Sequence, residues 1–158
     1  MKFGAVPVQD AAGAILAHSV DLADGRLRKG LTLKADHVAA LTAAGHSDVI
    51  VARLEAHDLH EDEAAGRLAH ALAPNPSQSG LRCSAAFTGR VNFIADRAGV
   101  AVLDVPVLQG INAVDPMISL ATVPPFQQMA VGGMVATVKI ISYGVAEAHV
   151  AMACAHAE

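Results

Sequence analysis

An α+β fold, with a small helix-containing lobe followed by a β-rich lobe, is what this sequence predicts. Three observations carry the prediction. Two stretches of the first half space their apolar residues at helical intervals and end on helix-stop signals. Residues 81–143 instead alternate with a period of two, as strands do. Between them lies "PNPSQSG", residues 74–80, the strongest linker signal of the chain. The expected organisation is therefore an α+β lobe over 1–73, a linker over 74–80, a β-rich lobe over 81–145 and a helical tail over 146–158.

The elements follow in order. "KFGAVPV" and "GAILAHSVDL" read as strands, and Asp24 with Gly25 marks a turn. A helix is expected over 35–44, with Val38 and Leu41 on one face and Gly45 as its stop residue. Lys34 precedes that helix and is a poor cap, because it offers no side-chain acceptor for the first free amides. "DVIVARL" is an alternating strand. "AHDLHEDEAAGRLAHALA" opens a second helix, with Asp58 and Glu61 in a D-x-x-E pattern close to a capping box. Glu61, Asp62 and Glu63 then fall in its first turn, where the helix dipole favours anions, and Ala65, Leu68 and Leu72 form its apolar stripe. Beyond the linker, "LRCSAAF", "RVNFIAD", "GVAVLD", "MISLATV" and "MVATVKIISYG" read as strands, with one short helix over 105–112. In the last strand Val135, Thr137, Lys139, Ile141 and Tyr143 share one face, and Met134, Ala136, Val138, Ile140 and Ser142 the other. "AVGGMV" signals a hairpin through Gly132 and Gly133.

Bulk chemistry narrows the function classes. The chain of 158 residues is 53% hydrophobic with only four Phe and one Tyr, so its core must be built from Val, Ile, Leu and Ala. A net charge of −4 argues against nucleic acid as the main partner, since phosphate binding needs clustered Lys and Arg. Cys83 and Cys154 stand 71 positions apart without Cys or His spacing for zinc, and are expected as reduced thiols. The first twenty residues lack the apolar run and cleavage site of a secretory signal, and no apolar run approaches the ~20 residues of a membrane helix. The expected setting is soluble and cytoplasmic.

Four groups of residues could carry chemistry. His57, Asp58, His60, Glu61, Asp62 and Glu63 have ligand types that suit a divalent ion, but the capping pattern already accounts for the acids. They are read as a solvated helix start, with no metal site assigned. His70, on the same helix, is read as a surface or partly buried residue rather than a catalytic base. Arg28 and Lys29, with Arg26 and Lys34 nearby, could meet an anion, and Gly30 would let the backbone approach closely. "FTGRVNF" is the most informative segment: a strand that turns at Gly89 and presents Thr88, Arg90 and Asn92 could hold an anionic or pterin-like ligand by hydrogen bonds. No Ser, Cys or Thr has a basic partner readable from the sequence, so no catalytic residue is assigned.

Two resemblances complete the reading. "AVGGMVATVKI" together with "AAFTGRV" resembles the barrel-sandwich hairpins of lipoyl and biotinyl carrier domains. Those carry a modified Lys at the hairpin tip. Here the tip is Val131 to Met134 and Lys139 lies well down the strand, which speaks against a swinging arm and leaves a barrel-sandwich-like β lobe as one outcome. More broadly, "GAILAHSVDL" and "RKGLTLKADHVAALTAAGHSDVIVARLE", with Gly30, Leu33, Leu41, Gly45, Val49 and Val51 in register, look like elements of MoeA-like molybdopterin-binding proteins. "EDEAAGRLAHAL", "FTGRVNFIAD", "INAVDPMISLATVPPF" and "MVATVKII" extend the likeness to the N-terminal region of bacterial members, some of them fused to a nucleotidyltransferase. The resemblance implies molybdenum cofactor biosynthesis, molybdopterin as ligand, and a homo-oligomer or a following α/β domain as partner. It assigns no residue roles, and the Gly-rich phosphate-contacting domain of that family is not among these residues. Three functions stay open: a non-catalytic molybdopterin-binding or accessory region; an enzyme of molybdenum insertion or cofactor nucleotidyl transfer, using Arg90, Asn92 and the basic run; and a small-ligand-binding or scaffold domain unrelated to the cofactor. A pocket far from Thr88 to Asn92 would favour the third.

Overall fold

Turn chemistry and alternation build the first part of the chain as the sequence suggests. A computed structural model describes residues 1–157; Glu158, the end of the expected tail, lies outside the described residues. Two compact units result, Met1–Ala56 and His57–Glu158. The parting therefore falls after Ala56, and residues 74–80, where a linker was expected, lie inside the second unit.

In the first unit, β1 (Lys2–Pro7), β5 (Asp48–Arg53) and β2 (Ile15–Leu16) form an antiparallel sheet in the order β1-β5-β2. "GAILAHSVDL" is thus not one strand. It bends after Leu16, and Val20–Leu22 (β3) pairs instead with Gly25–Leu27 (β4) in a separate hairpin around Asp24. Helix α1 (Ala35–Ala43) buries Leu41 against Val8, Leu16, Leu33, Val49 and Val51. Its start is satisfied from within: the Lys34 amide donates to His37 Nδ1 at 3.1 Å, and the first-turn His37 amide donates to Asp36 Oδ1 at 2.9 Å in place of a cap acceptor. Its end is a Schellman turn, with Gly45 N–H donating to Thr42 O and His46 N–H to Leu41 O, and Gly45 at φ +82°.

The second unit begins with β6 (Asp58–His60), which pairs with β13 (Gly144–Ala146). Asp58 is therefore a strand residue, and the expected D-x-x-E capping box does not form. Helix α2 (Glu61–Leu72) is capped instead by His60, whose Nδ1 accepts from the Asp62 amide at 3.2 Å. A four-stranded antiparallel sheet follows in the order β10-β12-β8-β7, made of Ile118–Thr122, Met134–Ile140, Arg90–Ala95 and Leu81–Cys83. Alternation sends Val91, Phe93, Ile118, Leu120, Val138 and Ile140 to one face, where Ala64, Ala65, Leu68 and Ala69 of α2 and Val150 and Ala153 of α4 (Glu147–Ala155) complete the core. Helix α2 thus shares its core with the sheet that follows it, which is why the chain does not divide at 74–80. Helix α3 spans Val105–Asn112, capped by Asp104. Gly132 and Gly133 do not close a hairpin with the preceding strand. Their backbones pair with Ala95, and β11 (Gln128–Met129) pairs with β9 (Gly99–Val100). Among the described residues no sheet closes into a barrel; the fold is a mixed α+β arrangement of several small sheets.

Candidate functional site

Residues Thr88 and Gly89 make a two-residue turn. Phe87 and Arg90 exchange both backbone hydrogen bonds, each 3.1 Å, and the two central residues have φ of +49° and +69°. Two positive φ values are what a type I′ turn requires, and its twist suits the strand that leaves it. Glycine adopts this conformation without strain; a β-branched threonine does not, and Thr88 is held there by its surroundings.

Those surroundings come from distant parts of the chain. Gly89 N–H donates to Asp62 Oδ1 at 2.6 Å, tying the turn to the start of α2. Lys139, reaching along the end of β12, donates to Thr88 O at 2.6 Å, to Ile140 O at 2.7 Å and to Glu61 Oε2 at 3.4 Å. All three ammonium hydrogens therefore have acceptors. The Glu61 side chain is 10% exposed and the Lys139 side chain 28%, so the pair is shielded far more than a surface ion pair. Gly89 has no room for a side chain: a methyl there would lie 2.5 Å from Glu61 Oε2 and 2.7 Å from the Ile140 carbonyl oxygen. The hydroxyl of Tyr143 titrates above its ordinary range, chiefly because burial desolvates the phenolate and secondarily because the Glu61 carboxylate repels it.

This corrects the reading of the acidic helix start. Glu61 is not a solvated first-turn acid but the buried partner of Lys139, 78 residues away. Among the described residues no group of three or more His, Cys, Asp or Glu is placed to hold a metal ion. Sequence reasoning passed over Glu61 and Lys139 as a pair. A signal existed in the one charged residue inside the apolar run "MVATVKII", which needed an opposite charge somewhere.

The residues expected to meet a ligand sit around this lock. Register places Arg90 directly opposite Lys139 and Asn92 opposite Thr137, on the face of the sheet away from the core. Thr137 Oγ1 donates to Asn92 Oδ1 at 2.8 Å, which fixes the amide and turns its NH2 group away from Thr137. Ser119, opposite Lys139 on the other side, extends the same row. Among the described residues, neither the Arg90 guanidinium, the Thr88 hydroxyl nor the Asn92 NH2 group has a hydrogen-bonding partner. Gly89 contributes shape only, since its amide is already committed to Asp62. The structure thus gathers Thr88, Arg90 and Asn92 as available donors and adds Ser119, which the sequence reading did not single out.

Arg28, Lys29 and Gly30 lie in the first unit, just after β4. Their backbone is committed: Lys29 N–H donates to Ser19 Oγ at 3.0 Å and Gly30 N–H to Leu16 O at 2.8 Å. Only the exposed Arg28 and Lys29 side chains remain to meet an anion.

Comparison with known proteins adds one finding. Residues 5–53 match a family described as a domain of unknown function (DUF8806). The matched stretch starts within β1 and ends with β5, inside the first unit, and the description names neither ligand nor activity. No curated protein and no solved structure resembles the chain closely enough to count as a match. No described helix is long and apolar enough to cross a membrane.

Proposed function

We propose that this chain is a binding and accessory region of a MoeA-like protein in molybdenum cofactor biosynthesis, without a catalytic step of its own. Molybdopterin, or a closely related phosphorylated pterin, would sit on the outer face of the four-stranded sheet. The reading rests on the sequence resemblance and on the donor chemistry of that face. The observation that carries it is Arg90, a guanidinium without a protein partner, set opposite Lys139 and beside the free Thr88 hydroxyl and Asn92 NH2 group. Like charges placed opposite each other across a sheet are unfavourable unless something negative joins them. Glu61 answers Lys139; a ligand phosphate would answer Arg90, in the bidentate geometry a guanidinium offers. A pterin edge, which both donates and accepts, suits Thr88 and Asn92. A cytoplasmic setting and a homo-oligomer or following α/β domain as partner belong to the same proposal.

Titration calorimetry of the chain with molybdopterin tests it. Micromolar binding is expected, weakened about tenfold or more in Arg90→Ala, the size of one charge-assisted pair. Binding that is equally tight in Arg90→Ala and Asn92→Ala, or no binding by the folded chain, would remove molybdopterin from this face.

A further inference from the structure

On the opposite face of the same sheet, a cleft of about 390 Å³ opens between α2, α3 and the strands. Its walls are Leu72 of α2, Leu108 of α3, Phe93 of β8, Leu120 of β10 and Ala136 of β12. The gap has a cause in the sequence. Ala73 and Ala136 stand at core-facing positions where larger residues would fill the space. The irregular pairing between Met134 and Ala136 also moves Val135 into a separate small cluster with Ala95, Ala101 and Met129. The volume lies in the range that small-molecule sites occupy, and the lining is mainly apolar with a few polar groups at the rim, as such sites are.

The rim decides the charge of an occupant. Among the described residues, Asp104 is the only acidic one in the lining, and no Lys or Arg lines the cleft. One Asp104 oxygen accepts from the Val107 amide at 3.2 Å as the α3 cap; the other has no partner among the described residues. Thr122 and His156 add hydrogen-bonding groups around it. We propose that this cleft binds a small aromatic amine, its ring between Phe93, Leu108 and Leu120 and its ammonium at the free Asp104 oxygen. Phe93 and Leu120 are nearly buried and form only the floor, so it is the mainly apolar lining that favours a flat apolar body. The same carboxylate repels anions, so an anionic pterin is not the occupant. This site stands on its own observations, and because it lies away from Thr88 to Asn92 it favours the reading of a small-ligand-binding domain unrelated to the cofactor.

Tryptamine is the probe. The chain has no Trp and a single Tyr, so indole fluorescence reports the ligand alone. Saturable binding is expected with a dissociation constant of roughly 0.1–1 mM, the range for a ligand of this size. Asp104→Asn keeps a good helix cap and removes the charge. It should weaken tryptamine about fivefold, as loss of one partly exposed ion pair does, and leave neutral indole unchanged. Ala136→Leu fills the cleft and should abolish binding of both, with Ala73→Leu as a second filling variant if the first does not fold. Three results would overturn the proposal: no saturable binding, indole-3-propionate binding as tightly as tryptamine, or tryptamine binding that survives filling in a folded chain. The last would show that tryptamine binds outside the cleft.

Discussion

Two glycine turns looked alike in the sequence, and the structure separates them. Gly30 follows Arg28 and Lys29; Gly89 precedes Arg90. Both have positive φ, +84° and +69°. A side chain added at Gly30 would meet nothing within 4 Å, whereas at Gly89 it would run into Glu61 and the Ile140 carbonyl. The Gly30 turn is an open bend whose cations face water. The Gly89 turn is clamped from three sides, by Asp62, Lys139 and its own reciprocal hydrogen bonds. A clamped turn holds its neighbours at fixed positions, which a binding site needs; an open one leaves its side chains to solvent and screening. The comparison favours Thr88 to Asn92 over Arg28 to Gly30 as the place for the proposed ligand.

Gly89→Ala should break that contrast hardest. It combines a left-handed residue with a methyl pressed on a backbone oxygen that cannot swing aside. A loss of about 2–4 kcal/mol is expected in denaturant unfolding. Gly30→Ala carries only the conformational penalty, about 1 kcal/mol. Equal losses at the two positions would mean that the clamp around Gly89 is not rigid. Lys139→Met comes next. It leaves the Glu61 carboxylate and two carbonyls without their donor, and should cost about 2 kcal/mol. Because Arg90 remains, a ligand phosphate should still bind, though more weakly as the turn loosens.

Thr88→Gly tests whether strain at the turn serves binding. Glycine adopts φ +49° freely, so the fold should gain about 1 kcal/mol in the same unfolding assay. Loss of the hydroxyl should at the same time weaken molybdopterin in calorimetry. Stabilisation without any change in binding would leave Thr88 as a strained residue with no part in the site.

The local signals were legible and the long-range ones were not. The Gly45 stop, the helix over 105–112 and the strand at "RVNFIAD" each follow from residues within a few positions of one another. Periodicity also placed Thr137 and Lys139 on the face away from the core. It could not show that Val135 leaves that face, because the irregular pairing at Met134 and Ala136 belongs to two strands at once. Nor could spacing join Glu61 to Lys139. The acid run at 61–63 invited a capping explanation that holds for any helix start. Only the folded chain shows Asp58 withdrawn into a strand, His60 as the cap, and Glu61 turned inward. The parting after Ala56 was hidden for a related reason. "PNPSQSG" has linker composition, yet it joins a helix to the sheet on which that helix packs.

The smallest effect offers the cleanest reading of the clamp. Tyr143 is the only tyrosine and there is no tryptophan, so phenolate absorbance follows one residue. Its midpoint should lie above the ordinary value of 10.0, mainly from desolvation and then from the Glu61 charge. A raised acid pKa in the folded state means that the fold binds this proton more tightly than the unfolded chain does. The corresponding stability is full below the unfolded value and is lost as pH rises through the folded one. Glu61→Gln removes the second cause only, so the midpoint should fall part of the way and stay above 10.0. Arg28→Ala, at the open turn, should not move it. A midpoint indifferent to Glu61 would place that carboxylate away from Tyr143, and with it would go the account of Gly89 as a turn held from beneath.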